Sequence, residues 1–305
     1  MDRREFLKKM IALGIGTGAM FMPGGLKRMT SPAFGEREFP DLVAVKGGSA
    51  GEMFDRGMKA IGGIGRFVRK GQNVVIKPNI SWDVPANGAA NTSPELVAGV
   101  IKHCLDAGAG KVFVMDHSIE YWENSSKNSG IGDAIKGAGG IYVPSDGKGY
   151  YQAVPVKGSA LKETMVHESI LECDVLISVP VLKHHGGAGV SISSKGLMGC
   201  VWNRRDYHAQ GLQRCIADFL SFRKPDLNII DAVSVITKNG PRGGSPSDVV
   251  NMGSLVISPD VVAADTAGAM MLGHKQGGIE HIRLAAGAGL GEMDLSKLRI
   301  ERITL

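Results

Sequence analysis

The densest group of chemically capable side chains is Lys183-His184-His185-Gly186-Gly187-Ala188-Gly189, followed shortly by Lys195. Adjacent imidazoles bind metals or transfer protons near neutral pH. On a regular strand the two rings would face opposite sides, whereas in a loop one or both would reach a single site. The glycines would let backbone amides approach an anion, and Lys183 and Lys195 would add positive charge. An anion site, a metal or proton-transfer site and a solvated loop all stay open.

Recognised nucleotide and acyl-transfer motifs are absent from the sequence. It contains no G-x-x-x-x-G-K-[ST] loop, and no G-x-G-x-x-G in its first strand-to-helix turn. The residue three positions before Lys195 is Ile192, where serine–lysine acyl transfer would need a serine. The residues therefore leave the reaction undetermined.

Polar residues follow the last apolar residue of several predicted strands. The four groups are Lys77-Pro78-Asn79, Asp116-His117-Ser118, Lys183-His184-His185 and Asp231. In open α/β sheets, ligands bind outside the carboxyl ends of the strands, so we expect these side chains to share one crevice. A charged residue also ends a strand simply by reaching solvent, and the prediction therefore depends on the coincidence of all four groups.

Side-chain chemistry assigns a candidate role to each residue. The candidate catalytic residues are Asp116, His184, Lys195 and Asp231. The candidate anion-binding residues are Lys77, Asn79, Lys183 and, in a second glycine-rich loop, Arg242. The candidate metal ligands are His184, His185 and Cys200. Asp265, within a predicted helix, is either buried and functional or exposed to solvent.

The elements that must position these residues alternate between strands and helices. Near-continuous apolar runs predict strands at 42–45, 74–77, 111–115, 141–143, 174–179, 227–233 and 255–258. Amphipathic patterns and capping residues predict helices at 52–68, 93–107, 130–136, 211–222 and 260–272. This alternation predicts an α/β fold with a mostly parallel sheet and helices on both faces. The glycine-rich passage 144–160 marks either a boundary between two lobes or an insertion.

Residues 1–33 have the features of a bacterial twin-arginine export signal. Asp2-Arg3-Arg4-Glu5-Phe6-Leu7-Lys8 precedes a glycine-rich apolar segment, and Ser31-Pro32-Ala33 offers a cleavage site. The apolar segment 10–22 is too short to span a bilayer stably. We expect recognition by the twin-arginine translocation machinery, a mature domain over 34–305 in the periplasm or another exported location, and no stable membrane anchor after cleavage. An ordinary N-terminal helix or a Sec-type signal is the alternative.

Net charge and cysteine spacing argue against nucleic-acid binding and against disulfide bonds. The whole chain carries +5, but residues 1–33 contribute +4, which leaves about +1 for the remainder. No basic stripe with interleaved aromatic residues remains, so nucleic-acid binding is not expected. The four cysteines have no C-x-x-C spacing, and folding in the reducing cytoplasm before export argues against disulfides.

Several of these segments together resemble the DUF362 family of uncharacterised proteins. The matching pieces include Val75–Asn79, the strand that ends before Asp116, Ile177–His184, Ser193–Gly199, Leu227–Asp231, Gly240–Gly243 and Ser258–Asp265. Some family members carry appended ferredoxin-like cysteine motifs, which links the family to iron–sulfur redox proteins, but this sequence has no such cysteine run. It also departs from the family at His185, where a small residue is usual, and at Gly196, where asparagine is more typical.

Two functional hypotheses follow. The first is an exported cofactor- or metal-dependent protein associated with redox chemistry, with its anion site at the carboxyl edge of the sheet. Its cofactor is unknown, and a metal ion or an iron–sulfur cluster is the candidate. The alternative is a non-catalytic periplasmic binding or maturation protein that holds a small anionic ligand in the same crevice. Whether the protein is an enzyme stays open.

Overall fold

A computed structural model describes residues 39–243 and 245–305. These residues belong to one compact unit. The predicted export signal over residues 1–33 lies outside the described residues. In the described part of the chain, no helix is long and apolar enough to cross a membrane.

The described residues form a main sheet of ten strands and a separate sheet of two. The strands are β1 Leu42–Lys46, β2 Asn73–Pro78, β3 Lys111–Val114, β4 Ile141–Tyr142, β5 Tyr151–Pro155, β6 Glu163–His167, β7 Val175–Val179, β8 Val181–His185, β9 Gly189–Ser191, β10 Leu227–Ile236, β11 Val249–Ser258 and β12 Ile300–Thr304. The helices are α1 Ala50–Ala60, α2 Pro94–Asp106, α3 Trp122–Asn128, α4 Ile131–Gly137, α5 Glu168–Glu172, α6 Ser193–Gly196, α7 Arg204–Gln210, α8 Leu212–Phe222, α9 Val261–Met271 and α10 Glu280–Gly287.

The central path of the main sheet is mostly parallel, as the sequence predicts. Its strand order is β12-β1-β11-β10-β7-β2-β3-β4. Every neighbouring pair along this path is parallel except the two pairs that contain β11. The parallel strands therefore end at one edge, which is where ligands bind in such sheets. Strand β5 lies within the glycine-rich passage 144–160, and β6 follows it and pairs with it as an antiparallel hairpin.

Helices cover both faces of the sheet, which explains why its strands are apolar throughout. Val75 of β2 belongs to a core that includes residues of α8, α9 and α10. Its neighbours Val74 and Ile76 belong to a second core that includes residues of α1 and α2. All three side chains are fully buried. Successive side chains of a strand point to opposite faces, so a strand that is buried on both faces reads as a continuous apolar run.

Two predicted helices differ in detail from the structure. The helix predicted over 52–68 ends at Ala60, because Gly62 and Gly63 follow with positive φ angles of 100° and 78°. Helix α2 begins at Pro94, but the Ser93 side chain does not cap it. The N–H of Ser93 instead donates to the carboxylate of Asp231 at 2.7 Å.

The segment Lys183-His184-His185 forms a strand, where the sequence left a loop open. Pro180 lacks the N–H that a sheet ladder uses, and it separates β7 from β8. Strand β8 then runs parallel to part of β10 and pairs antiparallel with β9. His184 lies opposite Val190 in this hairpin, and Lys183 lies opposite Ser191. This second strand carries the basic segment past the end of β7.

Candidate functional site

Residues from several strand ends surround a cavity of about 200 Å³. Its polar and charged lining includes Lys77, Asn79, Ser81, Asp116, Lys183, His185, Ser191, Lys195, Arg204 and His208. Six of these ten residues are ones that the sequence assigned to the candidate site. Four are lysine or arginine and only one is acidic, so the cavity attracts anions.

A buried ion pair forms part of the cavity wall. Lys77 Nζ lies 2.9 Å from Asp116 Oδ1, and the two side chains are 2% and 1% exposed. Lys77 Nζ also donates to the carbonyl of Pro78 at 2.7 Å. Asp116 Oδ2 accepts hydrogen bonds from the N–H of Ile80 at 2.7 Å and from the Ser81 hydroxyl at 3.1 Å. Asp116 therefore offsets the charge of Lys77, and among the described residues no other acidic side chain lines the cavity.

Gly199 lets this ion pair approach the backbone. A Cβ atom at residue 199 would lie 2.0 Å from Asp116 Oδ1 and 2.6 Å from Lys77 Cε. Both distances are far below van der Waals contact, and both neighbours are buried. The carbonyl of Gly199 also accepts a hydrogen bond from the N–H of His117 at 2.9 Å, which ties the glycine to the chain after β3. Glycine is thus required at this position by the ion pair.

Lys183 is almost fully buried and is held by two oxygen atoms. Its ammonium donates to Asn79 Oδ1 at 3.2 Å and to the carbonyl of Ala90. It also lies 6.0 Å from the ring centroid of Trp82. Burial, followed by repulsion from Lys195, lowers the pKa of Lys183 well below its ordinary value. The Asn79 side chain therefore orients the Lys183 ammonium.

Lys195 is partly buried on the short helix α6. The carboxylate of Asp265 fixes this turn, because Oδ1 accepts from the N–H of Ser193 and Oδ2 from the N–H of Ser194, each at 2.9 Å. Burial, followed by repulsion from Arg204 and Lys77, lowers the pKa of Lys195 to about 8. Within residues 39–243 and 245–305, no group accepts a hydrogen bond from the Lys195 side chain.

Arg204 is the lining cation that sequence reasoning missed. Its guanidinium donates from Nη1 to the carbonyl of His117 at 2.6 Å and from Nη2 to the carbonyl of Ser118 at 2.9 Å. These bonds hold the chain after β3 against the start of α7. The sequence carries one weak signal: Arg204 and Arg205 open a helix, where the positive end of the helix dipole disfavours cations.

The side chains of the two adjacent histidines lie in different surroundings, because successive side chains of a strand point to opposite faces. His185 lines the cavity, and its Nδ1 accepts from the N–H groups of Gly187 and Ala188 at 3.1 Å each. Those bonds make His185 neutral with its proton on Nε2. Burial, followed by repulsion from Lys195 and Lys183, lowers its pKa to about 3. His184 is absent from the lining, and its Nδ1 accepts from the N–H of Gly240 at 3.2 Å.

The glycine-rich amides that follow the histidines are already engaged. Gly187 and Ala188 donate to His185, and the N–H of Gly186 donates to the carbonyl of Gly240 at 3.4 Å. The sequence predicted that these amides would face an anion. Lysine and arginine side chains supply the donors of the cavity instead.

Two further candidate residues lie outside the cavity lining. Asp231 is 2% exposed and accepts from the N–H groups of Ser93 at 2.7 Å and Val233 at 3.1 Å. Burial raises its pKa. Arg242 is half-exposed and pairs with Glu120 at 2.9 Å. Asp231 therefore joins β10 to the start of α2, and Arg242 is engaged by a carboxylate.

The proposed metal ligands His184, His185 and Cys200 are not brought together around one point. Cys200 is fully buried, and burial raises the pKa of its thiol to about 12. All four cysteines are free. Among the described residues, no three histidine, cysteine or acidic side chains are grouped so that they could hold a metal ion. The described donor set thus does not fit a metal ion or an iron–sulfur cluster, which needs several thiolate ligands.

Comparison with known proteins assigns the family. The family described as a domain of unknown function, DUF362, matches residues 74–270, which include every lining residue named above. The chain belongs to the DUF362 family. A thylakoid-associated protein of Synechocystis sp. is 28% identical over 217 residues. That match covers 68% of this chain and 65% of the relative, so the chain spans less than two thirds of the relative's length.

A solved structure shares the fold of this DUF362 protein. The lactate racemase apoprotein of Thermoanaerobacterium thermosaccharolyticum matches with a TM-score of 0.50 and 13% identity, over 75% of this chain and 56% of that chain. A Thermotoga maritima protein matches with a TM-score of 0.47 and 12% identity, over 78% and 59%. At 13% identity the likeness to the racemase apoprotein shows the α/β fold alone.

Proposed function

We propose that this DUF362 protein binds a small anionic ligand, with a carboxylate- or phosphate-sized group in the cavity between Lys77, Lys183, Lys195 and Arg204. One observation carries the proposal. Four basic side chains surround the cavity, and the single lining carboxylate, Asp116, is already engaged by Lys77, Ile80 and Ser81. A fold that buries cations in excess of carboxylates needs a counter-charge, because an uncompensated buried charge is costly.

The lysine pKa values support the same proposal. Burial lowers the pKa values of Lys183 and Lys195, and repulsion from neighbouring cations adds to it: Lys195 and Lys77 act on Lys183, and Arg204 and Lys77 act on Lys195. An anion between the two ammonium groups would reverse this effect and favour their charged forms. Binding would therefore take up protons whenever either lysine is partly neutral beforehand.

The size of the cavity supports a small ligand. Pockets that hold drug-sized ligands measure about 300–1,000 Å³, whereas this cavity measures about 200 Å³. It therefore suits a small organic acid, an inorganic oxyanion or one anionic group of a larger molecule. Lactate is a useful probe because the fold neighbour is a lactate racemase, although the shared fold does not transfer that ligand.

Titration calorimetry with lactate, sulfate and inorganic phosphate tests the proposal. We expect Lys195→Gln to weaken binding about 10- to 100-fold, since a hydrogen bond to a charged group contributes about 1.5–3 kcal/mol. Lys59→Gln is the matched control, because Lys59 is an exposed lysine on α1 outside the cavity lining. Equal affinities for the wild type and Lys195→Gln, or no binding of any of the three anions, would reject the anion site.

Cofactor dependence and redox association rest on the resemblance of the sequence to its family. The described residues do not assemble a metal donor set, so no step of the proposal passes through a metal or cluster. Metal analysis and an absorbance spectrum of protein purified from the cytoplasm without air exposure test this part. Stoichiometric iron with a visible chromophore would support a cofactor. Colourless, metal-free protein that still binds phosphate would favour the non-catalytic binding or maturation protein.

Export through the twin-arginine pathway is the remaining part of the proposal. It rests on the Arg3-Arg4 pair and on the apolar segment and cleavage site that follow. The relative from Synechocystis sp. is described as thylakoid-associated, which is compatible with transport out of the cytoplasm. Fractionation of a bacterial host expressing the full chain tests this part. The double variant Arg3→Lys, Arg4→Lys should stay in the cytoplasm, and export of the variant at the wild-type level would contradict the assignment.

A further inference from the structure

We propose that Lys195 also acts as a nucleophile, and that it forms an imine with the carbonyl carbon of a small 2-oxo acid whose carboxylate is held by the neighbouring cations. This inference rests on the proposed anion site and adds a covalent step to it. It names the ligand class as a carboxylate with a ketone or aldehyde group on the adjacent carbon.

Hydrogen bonding singles out Lys195 among the four cations. Lys77 is engaged by Asp116 and the carbonyl of Pro78. Lys183 donates to Asn79 and to the carbonyl of Ala90, and Arg204 donates to two backbone carbonyls. Lys195 alone has no protein acceptor within the described chain. Its nitrogen is therefore available to a ligand, whereas the other three cations are fixed in place.

The surroundings of Lys195 combine a fixed backbone with open space. Asp265 holds the first residues of α6 through the N–H groups of Ser193 and Ser194. Gly196 follows Lys195 in the cavity lining, and the nearest heavy atom to a Cβ built there is Pro180 Cβ at 3.9 Å. Lys195 and Gly196 thus line the cavity together, and the absence of a side chain at residue 196 adds to the open space of that wall.

Electrostatics supply the neutral amine that the reaction needs. A lysine beside other cations loses its proton more readily, which is an established way to activate an amine for imine formation. Burial is the largest cause of the lowered pKa of Lys195; repulsion from Arg204 and Lys77 adds to it, and Asp116 opposes it. Lys183, His185 and His281 also interact electrostatically with Lys195. Before a ligand binds, the pKa of about 8 leaves half of Lys195 neutral at pH 8, against about 0.3% of an ordinary lysine.

The proposed step balances without an added oxidant or reductant. The lone pair of neutral Lys195 Nζ attacks the carbonyl carbon, a C–N bond forms, and the carbonyl π electrons move to oxygen, which takes a proton. The resulting carbinolamine loses water, so both amine hydrogens leave with the former carbonyl oxygen and a C=N bond remains. The carboxylate of the substrate stays bound and keeps the carbonyl carbon within reach of the nitrogen.

Reductive trapping tests the step on the full-length protein. Purified protein is incubated with pyruvate or glyoxylate and sodium cyanoborohydride, which transfers hydride to the imine carbon and leaves a stable secondary amine. Intact mass and peptide mapping then locate the adduct. We expect one adduct, on Lys195, formed roughly 100-fold faster at pH 8 than on an exposed lysine, in line with the ratio of neutral amine.

Controls separate this proposal from the anion site. Lys195→Arg keeps the charge and removes the nucleophile, so the adduct should disappear, and excess lactate should slow trapping in the wild type. Lactate binding without an adduct would overturn the imine and leave the anion site standing. An adduct that survives in Lys195→Arg, or that spreads over exposed lysines as in urea-unfolded protein, would also overturn it. Absence of both binding and adduct would reject both proposals.

Discussion

Substitution of Gly199 tests the close approach that holds the cavity wall together. In Gly199→Ala the new Cβ would meet Asp116 Oδ1 at 2.0 Å and Lys77 Nζ at 2.8 Å. Real Cβ atoms essentially never lie closer than 3.0 Å to such neighbours, so Asp116 Oδ1 must move by about 1 Å. The φ angle of residue 199 is not positive, and the predicted effect is therefore steric.

The size of the effect follows from the ion pair. At an effective dielectric constant of about 20, stretching the 2.9 Å contact between Lys77 and Asp116 by about 1 Å weakens their attraction by about 1.5 kcal/mol. Complete separation of a buried pair costs about 3–5 kcal/mol, because each charge is left without its partner. We therefore expect Gly199→Ala to lower the free energy of unfolding by about 1.5–5 kcal/mol, a large share of the about 5–15 kcal/mol of a typical domain.

Urea unfolding followed by circular dichroism measures this loss, and Gly196→Ala is its matched control. Gly196 lies three residues earlier in the same cavity wall, has helical φ and ψ angles of −59° and −32°, and leaves 3.9 Å between a new Cβ and its nearest neighbour, Pro180 Cβ. Alanine there should leave stability unchanged or raise it by up to about 1 kcal/mol. The reasoning is refuted if Gly199→Ala unfolds within about 0.5 kcal/mol of the wild type.

Three further predictions concern protons and positioning. Lactate affinity should fall as the pH rises through about 8, because Lys195 must be charged to hold the anion. Binding should take up protons at pH 8 and few at pH 6, and calorimetry in buffers of different ionisation enthalpy measures that uptake. Burial lowers the folded-state pKa of both His281 and His185 to about 3, so each contributes stability that is complete above pH 6.5 and is lost as the pH falls towards 3. Each histidine adds about 1.4 kcal/mol per pH unit to the slope of the unfolding free energy against pH, and His281→Gln should remove one histidine's share of that slope, measured by unfolding at pH 5 to 7. Asp265→Asn should lower the free energy of unfolding by about 1–3 kcal/mol and weaken lactate binding, because an amide cannot accept all the hydrogen bonds that Ser193 and Ser194 donate to the carboxylate. Wild-type stability and affinity in this variant would contradict the role of Asp265 in positioning Lys195.

The sequence alone determined the class of fold and the edge of the sheet at which to look. Runs such as Val74–Ile76 are apolar on successive residues, as a strand buried on both faces requires, and their alternation with amphipathic segments indicates the α/β class. The polar residues Lys77 and Asp116 end two parallel neighbours, β2 and β3, so their meeting follows from strand direction. Local patterns were sufficient for these predictions.

Tertiary structure decided which charged residues share the cavity. The sequence placed Asp231 at the end of a strand, as it did Asp116, but β10 continues to Ile236 and Asp231 lies inside it. Its carboxylate accepts from the N–H of Ser93, 138 residues away in the chain. Arg204 joins the site because backbone carbonyls after β3 receive its guanidinium, and no spacing rule links these segments. The choice depends on contacts between distant residues, which periodicity and propensity do not encode.

The positions of His184 and His185 were only partly predictable from the sequence. The alternation of side chains along a strand was known in advance, but whether residues 183–185 formed a strand depended on pairing with β9 and β10. That pairing sends His185 to the cavity and His184 to the N–H of Gly240. Gly199 and Gly196 are likewise equal in sequence, and only the neighbours packed against them make one indispensable and the other replaceable. The sequence therefore determined which residues were available, and packing between distant segments determined which of them face the ligand.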